Sequence, residues 1–110
     1  MLLPNGASAV VDIEKLRDYC LNPLHVKGKH KARVFKAALG MAEGDAERLR
    51  EVLLGVARTH EARRVGPSDY GIRFVIEFQL LGPRGEVTIL SSWIIRNGEG
   101  FPRLTSCYIP

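Results

Sequence analysis

The sequence predicts an α+β fold, about three N-terminal helices packed on a C-terminal antiparallel β-meander of three or four strands, within a single domain spanning residues 1–110. Two observations carry that expectation. Apolar residues recur at helical spacing from Ile13 to Val56, and from Ile72 onward the period becomes two. Helices first, then consecutive strands joined by short turns, leave the strands to pair with their sequence neighbours and to rest one face on the helices.

The first helix is expected over residues 12–21, with Asp12 as N-cap, Glu14 in the first turn, and Ile13, Leu16 and Cys20 at helical spacing. Asn22-Pro23 ends it, because a residue before proline avoids the α region. A second helix is expected over about 29–39, where Ala32, Phe35 and Leu39 form the inward stripe and Gly40 supplies the C′ residue. The third should run from Ala46 to Arg58, with Asp45 as cap, Glu47 in its first turn, and Leu49, Val52, Leu53 and Val56 inward.

A polar connection with glycine and proline follows, expected to include a mobile surface loop. Then Ile72, Phe74, Ile76, Phe78 and Leu80 alternate with polar positions as one strand. Gly82-Pro83-Arg84-Gly85 turns the chain into a second, on which Val87, Ile89, Ser91, Trp93 and Ile95 share a face. Parity therefore puts Trp93 in the core. Residues 97–102 turn the chain again into a third strand beginning at Arg103.

Length and composition are those of a chain that folds without staples. At 110 residues, roughly 65% of the surface exposed by the unfolded chain is buried on folding, and 45% hydrophobic with 25% charged residues excludes disordered and collagen-like classes. Cys20 and Cys107 match neither a zinc spacing nor a disulfide framework and read as two buried thiols. Neither a secretory leader nor a membrane-spanning stretch is visible, so a cytoplasmic setting is the default expectation.

The formal charge of +4 is unevenly placed. No acidic residue lies between Asp18 and Glu43, while Lys27, Lys29, Lys31, Arg33 and Lys36 all do. Those five cations exceed the whole net charge, which points to a localised anionic partner. The helix starts form an internal comparison: the first and third open on acidic residues, which suit the positive end of the helix dipole, whereas the second opens Lys29-His30-Lys31. A bound phosphate would account for the exception.

His25 and His30 supply groups that exchange protons near neutral pH. No P-loop, dinucleotide fingerprint or nucleophile elbow is present, so no cofactor is expected. The spacing of the histidines brings no companion carboxylate or thiol, so no metal site is expected either. Histidine, lysine, arginine and tyrosine are what metal-independent cleavage of RNA can use: the 2′-hydroxyl attacks, and the protein removes its proton, stabilises the phosphorane and protonates the leaving oxygen. The expected catalytic group is His25, His30, Lys31 and Arg103. Lys27, Lys29, Arg33, Lys36 and Tyr108 are expected to bind phosphate or bases.

Certain motifs also carry a family resemblance. Leu21-Asn22-Pro23, Lys31-Ala32-Arg33-Val34-Phe35, Leu80-Leu81-Gly82-Pro83-Arg84-Gly85 and Trp93 followed by Pro102-Arg103-Leu104, at these spacings, resemble a family of small bacterial proteins defined only as a domain of unknown function. Its members are similar to carboxy-terminal modules of polymorphic toxins, whose layout is similar to that of the barnase–EndoU–colicin–RelE ribonucleases. The resemblance implies amino-terminal helices before an antiparallel sheet, and it maps onto Lys31, Arg33, Phe35, Trp93, Pro102, Arg103, Leu104 and Tyr108. Where the toxin modules often have threonines, this chain has Ser91 and Ser106, which keep the hydroxyl.

The expected function is an RNA-binding, toxin-like, metal-independent ribonuclease domain. The alternative is a non-catalytic module binding nucleic acid or protein, of the antitoxin or immunity type. The expected partners are RNA and a cognate neutralising protein, with no membrane, and an exposed edge strand would allow homodimers to form by strand pairing.

Overall fold

The computed structural model describes residues 1–110. A 3-10 turn over Gly6–Ser8 precedes helix α1, which begins as one α turn at Ile13–Lys15 and continues as a π turn over Leu16–Cys20. Helix α2 spans Lys29–Leu39 and helix α3 spans Ala46–Thr59, the latter entered through a 3-10 turn at Glu43–Asp45. Strands β1 (Arg63–Arg64), β2 (Gly71–Gly82), β3 (Gly85–Arg96) and β4 (Arg103–Tyr108) form one antiparallel sheet in the order β1-β2-β3-β4. The predicted α+β architecture is therefore present. No helix is long and apolar enough to cross a membrane.

The first helix departs from the expected regular form. The N–H of Leu21 donates to the carbonyl of Leu16 at 2.8 Å, an i→i+5 bond, and this wider turn buries Leu16, Cys20 and Leu21 together. A strict α-helix would set Leu21 about 100° from Cys20 and off the inward stripe. Asn22 then closes the segment, donating from its side chain to the Asp18 carbonyl and accepting the Leu24 N–H.

Helix α2 begins and ends where the periodicity places it, and Ala32, Phe35 and Leu39 are its buried residues. Gly40 follows at φ 68°, a left-handed conformation that glycine adopts without strain. The two expected aspartate caps act differently. Neither the Asp12 nor the Asp45 side chain hydrogen-bonds the helix it precedes; the Asp45 carboxylate instead accepts the Ala42 N–H at 2.9 Å and braces the turn leading into α3. The charge comparison nevertheless stands, because Glu14 and Glu47 occupy the first turns of α1 and α3 and α2 has no acidic counterpart.

The connection expected as a mobile loop contains strand β1, where Arg63 pairs with Val75 and Arg64 with Phe74, and Val65 donates its N–H to Arg73. Two exposed arginines in a two-residue strand carry no apolar alternation, so the sequence gives no strand signal there.

The inner face of the sheet is built by the cross-strand pairs Phe74–Trp93, Ile76–Ser91 and Phe78–Ile89, continued by Leu104 and Cys107 of β4. These residues are buried against Phe35, Leu49, Leu53 and Leu16 in one core cluster. Ser91 is the one buried polar side chain, and its hydroxyl is fully used: it donates to the Ile76 carbonyl at 3.0 Å and accepts from the Trp93 indole at 2.9 Å. Trp93 is wholly buried, as its parity predicts.

Between β3 and β4 the register shifts at Ser92/Trp93. Ser92 opposes Ser106 and Trp93 opposes Leu104, so Thr105 is an extra residue on β4. This bulge turns Thr105 and Ser106 both away from the core while Leu104 and Cys107 stay buried.

Candidate functional site

The site is assembled where α1, α2 and the end of β4 meet. Two features fix the start of α2 against α1. A Cβ on Gly28 would lie 2.5 Å from the Tyr19 carbonyl oxygen, so only glycine permits this approach of backbone to backbone. The Nδ1 of His25 accepts the N–H groups of both Lys27 and Gly28 at 3.0 Å, and the His25 carbonyl accepts the Lys29 N–H at 2.9 Å. His25 thus shapes the turn into α2, and its remaining ring nitrogen, Nε2, carries the proton.

From that start α2 brings Lys31, half-buried at the border of the inward stripe, over two aromatic rings. Its Nζ lies 4.8 Å from the Tyr108 ring centre and 5.9 Å from that of Tyr19. The His25 ring meets Tyr19 edge-on, with centres 4.7 Å apart. A cation over two ring faces is held by both quadrupoles, so Lys31 is positioned without a carboxylate partner and keeps its charge available.

Beneath this cluster lie Cys20 and Cys107, both buried and both free thiols. Hydrogen bonding from the Cys107 side chain, helped by its backbone N–H and by the charges of Lys31 and Lys15, draws the Cys20 thiol down to about 7 against the opposing effect of burial. The same pairing pushes the Cys107 thiol well above its ordinary value, with burial adding to the effect. One proton leaves the pair early and the other late.

Of the residues predicted to act together, His25, Lys31 and Tyr108 converge. Arg103 does not. It begins β4, five residues before Tyr108, which at strand rise is about 16 Å away. There it forms a two-point ion pair with Glu99, 2.9 and 3.1 Å, and lies 5.1 Å over the Phe101 ring, so its planar fork clamps the β3–β4 turn. Pairing holds the Glu99 carboxyl below its usual range and raises the Arg103 guanidinium. His30, Arg33 and Lys36 are exposed along α2, Lys27 is exposed in the preceding turn, and Lys29 is half-buried. None of these five is in an ion pair, since the four pairs within the chain use Met1, Arg17, Arg50 and Arg103.

Sequence reasoning missed Tyr19, whose role depends on the π turn that aims it at α2. It also missed the outer face of the sheet, where Arg73, Ser92, Thr105 and Ser106 line a recess of about 300 Å³. The exposed hydroxyls come together only because of the bulge. In the sequence, Thr105-Ser106 looks like ordinary alternation, with one residue expected inside.

Residues 2–110 match the model of the family DUF6883, described as a domain of unknown function. The chain belongs to this family. No curated protein sequence matches it. The fold of this family member is similar to that of a chain in a solved structure, a contact-dependent growth inhibition toxin–immunity protein complex from Klebsiella pneumoniae 342. The two share 15% identity, the alignment covers 94% of this chain and 95% of that one, and the TM-score is 0.60. At this identity the likeness concerns the fold.

Proposed function

We propose that this chain is the RNA-cleaving member of a toxin–neutraliser pair. The observation that carries the reading is Lys31 held over Tyr108 and Tyr19 with His25 against Tyr19, a fixed cation flanked by aromatic surfaces and a hydrogen-bond donor. Bases of a single strand stack on exposed aromatic faces. The Lys31 ammonium stabilises the charge that develops on the phosphorane. His25, its Nδ1 occupied by two backbone N–H groups, is neutral and offers its Nε2–H as a hydrogen bond to a phosphorane oxygen, while His30 is assigned both proton transfers, taking the 2′-hydroxyl proton and, as imidazolium, returning it to the leaving 5′-oxygen. Tyr108 and Ser106 share the outer face of β4, so RNA leaving the cation reaches the hydroxyls and Arg73 of the recess.

The similarity in fold to a chain of a toxin–immunity complex supports the pairing. The test is incubation of the purified protein with total RNA in EDTA, beside Lys31→Ala. Cleavage by the wild type and its loss in the variant are expected; intact RNA overturns the reading.

A second reading, a non-catalytic member of such a pair, is favoured by two details. Arg103 is consumed by Glu99, and His25 by the turn it braces. In that case affinity for single-stranded RNA falls by about 0.7 log units per log unit of salt for each phosphate contact, without cleavage.

A further inference from the structure

A groove of about 500 Å³ runs along the flank of α2 beside the β2–β3 turn. Val34, Ala37 and Ala38 of the helix and Val87 of β3 form its floor, and Arg33 and Arg84 stand in its lining. Val34 is 41% exposed, an aliphatic residue left in water beside two cations. Neither arginine belongs to any of the ion pairs of the chain. An apolar floor with unpaired arginines fits an occupant that is apolar where it is buried and negative where it leaves.

We propose that this groove docks an acidic segment of a partner protein, an aliphatic or aromatic side chain entering between Val34, Ala38 and Val87 while carboxylates on either side meet Arg33 and Arg84. The floor is wholly aliphatic and offers no ring for a base to stack on, which argues against nucleic acid. A second copy would bring its own arginines against these, and like charges facing across an interface oppose association. In a toxin–neutraliser pair the neutralising protein is the natural occupant, and to that extent the inference rests on the function proposed above. The groove and its arginines stand independently of RNA cleavage.

The test uses the full chain and two fluorescein-labelled peptides of equal negative charge, one alternating leucine with glutamate and one alternating serine with glutamate. Fluorescence anisotropy is expected to give the leucine peptide about tenfold tighter binding, as burial of apolar surface at the floor requires. Amide shifts on binding should centre on Val34, Ala37, Ala38 and Val87. The double variant Ala37→Glu with Arg84→Glu, both surface positions, should lose about tenfold in affinity through like-charge contact while its RNA cleavage equals that of the wild type. Equal binding of the two peptides, shifts centred elsewhere, unchanged affinity in the variant, or displacement of the peptide by a single-stranded RNA would each overturn the proposal. A sedimentation experiment showing a dimer that protects Val34 would do the same. Docking by a wild-type protein that leaves RNA intact overturns the nuclease assignment and leaves the groove standing.

Discussion

The ammonium of Lys31 lies 4.8 Å from the centre of the Tyr108 ring, joining the second helix to the end of the last strand. Because the same ammonium lies 5.9 Å from the centre of the Tyr19 ring, the contact also reaches the first helix. Lys31→Met keeps the length of the side chain and removes the charge, and should cost about 0.5–2 kcal/mol of stability by urea unfolding. Lys31→Arg should restore most of that loss, since guanidinium also stacks on rings. Affinity for single-stranded RNA, followed by anisotropy, should fall in the methionine variant and largely persist in the arginine one.

The close approach at Gly28 gives a sharper structural test. Adding a methyl group there drives a Cβ into the Tyr19 carbonyl, a backbone atom that moves only if α1 moves. Gly28→Ala should destabilise by about 1–3 kcal/mol, the usual cost of overpacking, and should shift the Tyr19 and Lys31 resonances together. Gly44→Ala, where the added Cβ meets nothing within 4 Å, serves as the control and should be close to neutral.

Much of this arrangement was legible in the sequence. The extent of α2, its inward stripe of Ala32, Phe35 and Leu39, the alternation of β2 and β3 and the burial of Trp93 all follow from periodicity, because each is decided by a row of apolar side chains seeking one core. The π turn at Leu16–Cys20 and the bulge at Thr105 are not legible, since each inserts one residue into a regular pattern without changing residue type. The site depends on both irregularities: one aims Tyr19 at Lys31, and the other turns Thr105 and Ser106 outward. The separation of Arg103 from the cluster has another cause. A basic residue in a sequence carries no mark of the carboxylate that will neutralise it, and Glu99 reaches Arg103 only once the turn between β3 and β4 has formed.

The paired thiols predict a pH dependence of stability with a definite sign. Cys20 titrates near 7 in the folded chain, below its ordinary 9.0, so its contribution is complete above 9.0 and disappears as pH falls through 7. Cys107 is shifted the other way: its contribution is complete below 9.0 and is lost as pH rises beyond it. Stability attributable to the pair should therefore climb between 7 and 9.0 and decline above. Urea unfolding across that range should show the climb in the wild type and a flat profile in Cys20→Ala, whatever the absolute stability of the variant.

Ser91 offers a test of the polar contact within the core. In Ser91→Ala the Trp93 indole N–H keeps its burial and loses its acceptor, which should cost about 1–3 kcal/mol. Replacing the residue with threonine keeps the oxygen and adds a methyl group to a packed site, so a smaller loss is expected. Thermal unfolding of the two variants should rank them in that order.

Trp93 is the only tryptophan of the chain, and it lies wholly buried on the inner face of the sheet. Its fluorescence is consequently an intrinsic gauge of the core alone. Emission should be blue and shielded from quenchers such as iodide. Nucleic acid lying across the outer hydroxyls should leave the spectrum untouched, whereas any ligand or substitution that parts the helices from the sheet should move it to the red.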